Sequence, residues 1–518
     1  MANSNNRKGH RATIDRRPVS FNDRKVWMDL LAIVCFGLAL RTLLLVAFPV
    51  PYGNDGFGRI YFKDSIFLAH WLPLTQVIVF TVASFSTGIF PIRFTFALLG
   101  ALAACGFYLF LRLLVRPSMA LFGGLLFSVN ALYVILSLMP YQDVLFLGLF
   151  YASLAFLFER TPVLRSGRGA FFYGLASLTR YESWFVMPWL IFWKARLEAD
   201  DASIAGRSRS LLKSGLALGS APPLWFLLSQ LRWGEWNSFL VQTPDQRFYG
   251  WHPHFDLLWS LDYAARMLYW MGLFGSPLLL FALLAPIALA RSGARLHAGL
   301  KVILVLSLLL LAFFFFVIGR QQETVFRFVM FPLSAVLVLA VMGIETTLDW
   351  ISRKRFLGPF PTRWRRCLAG LILATLALYA TLPVARLNAR PEFLDPYLIA
   401  QYLDEALKGE ETALVVADRS RQLLDAAPVA YQRIVAQSRA GADRILSSGL
   451  LEETDPGALL EFAQQKKVRY LVIFENFEPW LPADVFYSGL VRSSPQGLAV
   501  ALDTKTATVY QISSWPRP

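Results

Sequence analysis

The sequence predicts a polytopic α-helical membrane protein of about 11 to 13 membrane helices, followed by a small extramembrane α/β domain. Three observations predict it. Hydrophobic residues make up 56% of the 518 and charged residues only 16%, with a mean hydropathy of +0.48, a balance that excludes a water-soluble enzyme. Uncharged runs long enough to cross about 30 Å of hydrocarbon recur through the first three quarters of the chain. Beyond residue 386 those runs shorten and charges return.

The net charge of +15 needs placing before it says anything about partners. Residues before Arg386 carry +18 and the remainder −3. The basic excess therefore belongs to the membrane part, where it sets orientation, and nucleic acid is not an expected partner. Residues 1–25 are polar and basic and read as a cytoplasmic tail without a cleavable signal. The membrane domain, 26–385, opens with a span at about 27–48 that Arg41 interrupts, then an outward loop at 49–92. Further uncharged runs lie at 94–111, 117–142, 144–158, 214–231, 267–290, 302–319, 328–344 and 367–385.

Two stretches leave the topology open. Residues 71–92 are uncharged but rich in Ser, Thr and Gly, and 170–193 carry Arg180 and Glu182 at their middle. If 71–92 stays outside and 170–193 is a hairpin of two short helices, 26 Lys and Arg fall inside and 8 outside; if both cross, the division is 22 and 12. The positive-inside rule favours the first arrangement. Either way the C-terminal part, 386–518, lies on the outer, periplasmic side. The sequence has no Asn-X-Ser/Thr acceptor site, which with Arg-rich inner loops suits a bacterial inner membrane.

Within that C-terminal part, Thr412-Ala-Leu-Val-Val-Ala-Asp418 reads as a buried strand, Asp455 to Lys467 as an amphipathic helix, and Arg469-Tyr-Leu-Val-Ile-Phe474 as a second strand. Cys35, Cys105 and Cys367 lie far apart in or beside apolar spans, so neither a disulfide framework nor a zinc cluster is expected. No phosphate-binding glycine loop, HExxH or internal repeat is present.

Chemistry-bearing residues gather in the outward segments of the favoured arrangement. The first loop holds Asp55, Arg59 and Lys63 among aromatics; Asp143 follows Met139-Pro-Tyr-Gln; Arg180 and Glu182 sit in Leu178-Thr-Arg-Tyr-Glu-Ser183. A later loop offers Asp245, Arg247, His252 and His254, and a last one Arg320, Glu323 and Arg327. Ionisable groups at membrane depth cost roughly 2.5–3.5 kcal/mol each on insertion scales, so Arg41, Arg180 and Glu182 need a reason to be there. Bland reasons exist: Arg180 and Glu182 pair with each other at a helix break, Arg41 snorkels to the interface, Asp55 holds a turn, Asp143 caps a helix. The His252 and His254 pair has no evident third ligand, and no metal site is assigned.

Asp55, His70-Trp-Leu-Pro-Leu74, Ile92-Arg-Phe-Thr-Phe-Ala-Leu-Leu-Gly100, Tyr141-Gln-Asp143, Ala176-Ser-Leu-Thr-Arg-Tyr-Glu-Ser183 and Gln322-Glu-Thr-Val-Phe-Arg-Phe-Val-Met-Phe-Pro332 occur in an order that resembles the GT-C glycosyltransferases. More narrowly, it resembles the group using polyprenyl-phosphate sugars, which includes lipid A aminoarabinose transferases and protein O-mannosyltransferases. The resemblance covers roughly residues 27–345. Departures are visible: Asp55 is followed by Gly56 rather than a second acid, His70 stands without an adjacent Pro-Pro, and Trp-Trp-Asp is missing. The last argues against transfer of whole oligosaccharides to asparagine.

The resemblance implies transfer of one sugar, with inversion, from an undecaprenyl or dolichyl monophosphate to a hydroxyl of a glycan, lipid or protein acceptor. It implies Asp55 as base, Arg180, Arg327 and Arg41 as candidates for the donor phosphate, and Asp143, His70 and Glu182 for positioning donor or acceptor. Arg59, Arg247, His254, Arg320 and Glu323 remain as possible sugar or acceptor contacts. No cofactor is implied, and the lipid-linked sugar is itself a substrate. Rival readings are a secondary transporter or lipid flippase, which also uses charges at depth, and a ligase or polymerase fed by diphosphate-linked glycans.

Overall fold

The computed structural model describes residues 23–68, 71–86, 88–158, 164–198, 204–236, 257–275, 278–292, 298–316, 326–353, 362–416, 429–438, 440–447, 462, 464–474, 498–505 and 507–512. It is an array of apolar helices with a mixed β-sheet at its C-terminal end. In chain order the helices of the first half are α1 (Arg24–Ala47), α2 (Asn54–Tyr61), α3 (Pro73–Phe85), α4 (Ile89–Leu111), α5 (Pro117–Val129), α6 (Ala131–Ser137), α7 (Asp143–Leu157), α8 (Leu164–Ser177) and α9 (Glu182–Glu198). There follow α10 (Ile204–Gly219), α11 (Ala221–Trp233), α12 (Leu257–Gly275), α13 (Leu278–Ser292), α14 (Ala298–Phe316), α15 (Met330–Arg353) and α16 (Thr362–Asn388).

Among the described residues four helices are long and apolar enough to cross a bilayer by themselves: Arg24–Ala47, Ile89–Leu111, Arg327–Leu348 and Ala369–Asn388. Three bent pairs raise this to as many as seven, and Pro73–Phe85, Asp143–Leu157 and Leu300–Ala312 are shorter apolar helices. The chain is a polytopic membrane protein. Large apolar side chains such as Leu43, Val46, Leu216, Leu280 and Leu308 are exposed along these helices, as hydrocarbon requires.

Helices α4 and α7 pack closely. A Cβ at Gly106 would lie 2.2 Å from the Gly148 carbonyl oxygen, and one at Gly148 would lie 2.5 Å from the Ala103 Cα. Small residues at the seam let two backbones touch where lipid supplies no hydrophobic drive for association.

The uncharged run 117–142, expected to cross as one span, is bent by 58° between α5 and α6. Asn130 makes the break: its Oδ1 accepts from Leu132 N (3.1 Å) and its Nδ2 donates to the Phe274 carbonyl (2.9 Å). A side chain that serves the ends of two helices replaces the backbone ladder there. The stretch 170–193 is interrupted between α8 and α9, and 71–92 between α3 and α4, so neither is one continuous helix.

After α16 come α17 (Pro391–Ala406), β1 (Thr412–Val416), α18 (Val429–Gln437), α19 (Gly441–Arg444), β2 (Ile445–Ser447), β3 (Val468–Phe474), β4 (Leu498–Asp503) and β5 (Ala507–Ile512). The sheet order is β2-β1-β3-β5-β4, with β1 parallel to β2 and β3, and β5 antiparallel to β3 and β4. Its core joins Ala413, Val415, Tyr470, Val472 and Val509 to Ile399 and Leu403 of α17 and to Tyr431 and Ile434 of α18. The helix expected over Asp455 to Lys467 falls largely outside the described residues.

Candidate active site

The site is built around α2, an eight-residue helix held at both ends. Ahead of it, Arg93 at the start of α4 donates through Nη1 to the Pro49 carbonyl and through Nε to the Leu138 carbonyl (3.0 Å). Asn388 brackets Val50, accepting from its N–H (3.4 Å) and donating to its carbonyl (2.7 Å), and the Tyr52 hydroxyl donates to the Ile135 carbonyl (2.9 Å). Gly53 caps α2 at φ +84°, and a Cβ there would sit 1.7 Å from the Tyr141 hydroxyl oxygen. Both the backbone and the space demand glycine. At the far end Gln76 Nε2 donates to the Arg59 (3.2 Å) and Phe62 (2.8 Å) carbonyls, closing the last turn.

Asp55 occupies the first turn of α2, where the helix dipole favours a carboxylate. Arg59 follows one turn later on the same face. Asp55 does more than hold a turn: its Oδ2 accepts from Arg327 Nη1. Arg327 stands in a short 3-10 turn, Phe326–Val329, that leads into α15. Its guanidinium lies 6.0 Å from the Tyr141 ring centre and 5.6 Å from that of Phe328.

Asp143 opens α7 and is fully buried, yet it does not cap the helix; Gln142 holds the cap position. Its Oδ1 accepts instead from Arg180 Nη1. Arg180 lies in the interruption between α8 and α9, and its other edge donates to Glu182 Oε1 from Nε (2.8 Å) and from Nη2. Arg180 and Glu182 pair with each other at a helix break, and the pair is extended to a second acid on another helix. Burial of this triad is affordable only because each charge has a partner.

Arg59 is the cation without a carboxylate of its own. It is 1% exposed, donates through Nη2 to Gln142 Oε1, and stacks its guanidinium 4.3 Å over Trp71. Burial pushes it down to about 9, Asp55 acting in the opposite sense, so it is still a cation at neutral pH. Asp55, Asp143, Arg180 and Arg327 all lie within its Coulombic range. Three buried atoms of this cluster have no hydrogen-bond partner: Arg59 Nη1, Arg327 Nε and Asp143 Oδ2. Leaving such a group unmade costs about 1–3 kcal/mol, so three in one cluster mark a place for a polar ligand with both acceptors and donors.

The structure thus brings Asp55, Arg59, Asp143, Arg180, Glu182 and Arg327 together and leaves Arg41 out. Arg41 neither snorkels to an interface nor joins the cluster. It is fully buried, with Nε donating to Ser137 Oγ (2.7 Å) and Nη1 to the Gly37 (3.1 Å) and Ser128 (3.0 Å) carbonyls. Ser128 and Ser137 of α5 and α6 supply two of these acceptors and Gly37 of α1 the third, so Arg41 ties α1 to the broken helix. His70, Asp245, Arg247, His252, His254, Arg320 and Glu323 lie outside the described residues.

The sequence does not point to Gln76, and it gives no role to Trp71, Arg93 or Gln142 within the motifs that contain them. Gln76 and Trp71 carry no charge and no periodic signal. Arg93 had one, a cation at the mouth of an apolar run. Among the described residues no group of three or more His, Cys, Asp and Glu is placed to hold a metal ion.

No protein-family model matches the sequence, and no curated protein matches it. Solved structures do. ArnT from Cupriavidus metallidurans in the apo state superposes with a TM-score of 0.57 at 15% identity, over 95% of this chain and 99% of that one. The same protein bound to undecaprenyl phosphate gives 0.57 at 16%, with the same coverage. The archaeal oligosaccharyltransferase AglB from Archaeoglobus fulgidus, in complex with an inhibitory peptide and a dolichol-phosphate, gives 0.47 at 12%, over 96% of this chain and 75% of that one. The likeness to ArnT runs through nearly the whole of both chains and shows a shared fold.

Proposed function

We propose that this chain moves a single sugar, with inversion, from a polyprenyl monophosphate to an acceptor hydroxyl at the outer face of a bacterial inner membrane. The observation that carries the reading is the pair of unpartnered guanidinium atoms, Arg59 Nη1 and Arg327 Nε, buried in one cluster with the Asp55 carboxylate. Forked cationic donors suit phosphate oxygens, and a carboxylate beside them suits the proton of an attacking hydroxyl. The structural relative bound to undecaprenyl phosphate supports a carrier of this class.

In the resting arrangement Asp55 is held by Arg327. A phosphate monoester competes for that guanidinium, and the carboxylate it displaces becomes available as a base. The acceptor oxygen then attacks the anomeric carbon from the face opposite the phosphate. The bond from that carbon to the phosphate oxygen breaks with its electron pair on the phosphate, Asp55 keeps the proton, and polyprenyl phosphate departs. Arg327 and Arg59 meet the growing charge on the leaving group; removing one such donor commonly costs roughly 3–4 kcal/mol. Arg180 has both edges committed to acids, so in this reading it positions Asp143 and Glu182, and Asp143 Oδ2 accepts from a sugar hydroxyl or amine. Neither a metal nor an organic cofactor enters the reading.

The same reading takes the N-terminus as cytoplasmic, the first loop and the domain after Arg386 as periplasmic, and the apolar helices as about 11 to 13 crossings. The test is purified full-length protein in nanodiscs with a panel of undecaprenyl- and dolichyl-phosphate sugars, following release of polyprenyl phosphate and appearance of sugar on glycan, lipid and protein acceptors. Turnover of a monophosphate donor is expected. Turnover of diphosphate-linked glycans alone, or of no donor, would overturn the reading.

A further inference from the structure

Helix α2 has two working faces. Residues 55 and 59 form one stripe; Phe57 and Tyr61 form the other, about 200° around the helix from their neighbours two residues back. Phe57 stacks on Phe393 of α17 with ring centres 6.5 Å apart and planes 20° from parallel. Tyr61 meets Tyr431 of α18 edge to face at 6.3 Å and packs into the core of the C-terminal sheet. Both separations are those of favourable aromatic pairs.

The partners are anchored in turn. The Tyr431 hydroxyl donates to the Ile445 carbonyl of β2 (2.9 Å), Arg433 of the same helix lies 4.8 Å over the Phe393 ring, and Asp404 of α17 accepts from Ser438 Oγ and from Ala440 N (3.2 Å) just beyond α18. An eight-residue helix is too short to hold its shape alone. Its position is therefore a property of what grips it, and one of the two grips is the C-terminal domain.

We infer that the C-terminal domain positions the carboxylate of Asp55 through α2, with Tyr431 and Phe393 as the positioning residues. The catalytic part of this inference rests on Asp55 being the base; the mechanical part stands without it. Both aromatics meet α2 through Phe57 and Tyr61, not through Asp55 or Arg59. Their effect on transfer is through the placement of α2, and misplacement of a reacting group by about 1 Å can cost as much as a hundredfold in rate.

The experiment combines hydrogen exchange with transfer kinetics on the full-length protein in nanodiscs. Tyr431→Ala is expected to speed amide exchange across residues 54–61 while α4 and α7 keep wild-type protection, and to lower kcat by about tenfold or more with the donor KM little changed. Tyr431→Phe keeps the ring and gives up only the bond to Ile445, so it should restore most of kcat. Unchanged exchange over 54–61, or faster exchange there with unchanged kcat, overturns the inference. If Tyr431→Ala loosens the whole protein, Phe393→Leu decides in its place: it must speed exchange over 54–61 alone, and failure to do so is equally fatal. Retained transfer in Asp55→Asn would instead remove the base assignment, a separate outcome that leaves the exchange result standing.

Discussion

Arg327 and Asp55 are 272 residues apart in the chain and ion-paired in the fold. The pair lies part-buried at the edge of a cluster whose other ion pairs are deeply enclosed. It is the least enclosed of the cluster's ion pairs.

Asp55→Asn is expected to lower kcat by about 10² to 10⁴, the usual contribution of a positioned base. Donor affinity should hold or improve, because Arg327 no longer has an internal anion. The check is steady-state transfer beside direct binding of a polyprenyl-phosphate sugar. A kcat within threefold of wild type, marking precision of about half a log unit, would remove Asp55 from the base role.

Arg59→Gln removes a charge-assisted hydrogen bond of about 1.5–3 kcal/mol to the donor phosphate, so the donor should bind roughly 10- to 100-fold more weakly. Arg59→Lys keeps the charge without the fork or the stacking on Trp71 and should recover only part of that. Titration with polyprenyl phosphate lacking a sugar isolates the contact. Unaltered binding of that lipid would place the phosphate elsewhere.

Arg180→Ala and Arg41→Met should behave alike in stability and unlike Arg327→Ala. The first leaves Asp143 buried without its cation, a change that typically costs about 3–5 kcal/mol. The second takes the Arg41 donors away from the Ser128 carbonyl and from Ser137 Oγ in the helix core. Arg327→Ala removes a part-buried side chain and is expected to abolish transfer with a near-normal melting temperature. Thermal unfolding in nanodiscs separates the two classes; a large loss of stability in Arg327→Ala would argue that its pairing with Asp55 is structural.

Ser65 lies exposed just after α2. Ser65→Cys is expected to react with a membrane-impermeant maleimide added to the periplasmic side of intact cells stripped of their outer membrane. Labelling only after the cytoplasmic side is opened would invert the topology.

Charge in an apolar setting was the legible part of the site. Asp143, Arg180 and Glu182 announce themselves because each is costly where it stands, and the structure joins them. What residue spacing does not encode is which charge meets which across the chain. Arg41 carries the same cost as Arg180, yet two of its acceptors, the Ser128 carbonyl and the Ser137 hydroxyl, lie on the two helices of the bend at Asn130, a tertiary event invisible in an uncharged run. Gln76 and Gln142 act through neutral amides, which any loop displays. In the C-terminal part, the strands at 412 and 468 are readable as short apolar runs, whereas the mixed sheet order depends on β4 and β5, whose alternation resembles the surrounding loops.

Three carboxylates and three guanidinium groups make up the described cluster, so its resting charge sums to zero. A neutral site projects little field into water and cannot draw an anion from a distance. If the ligand is the proposed polyprenyl phosphate, its chain supplies another route: diffusion in the plane of the bilayer, ending in a local exchange of one anion for another on Arg327. Loading of the donor should then depend on its surface density in the membrane and scarcely on ionic strength, the reverse of the behaviour of an electrostatically steered encounter.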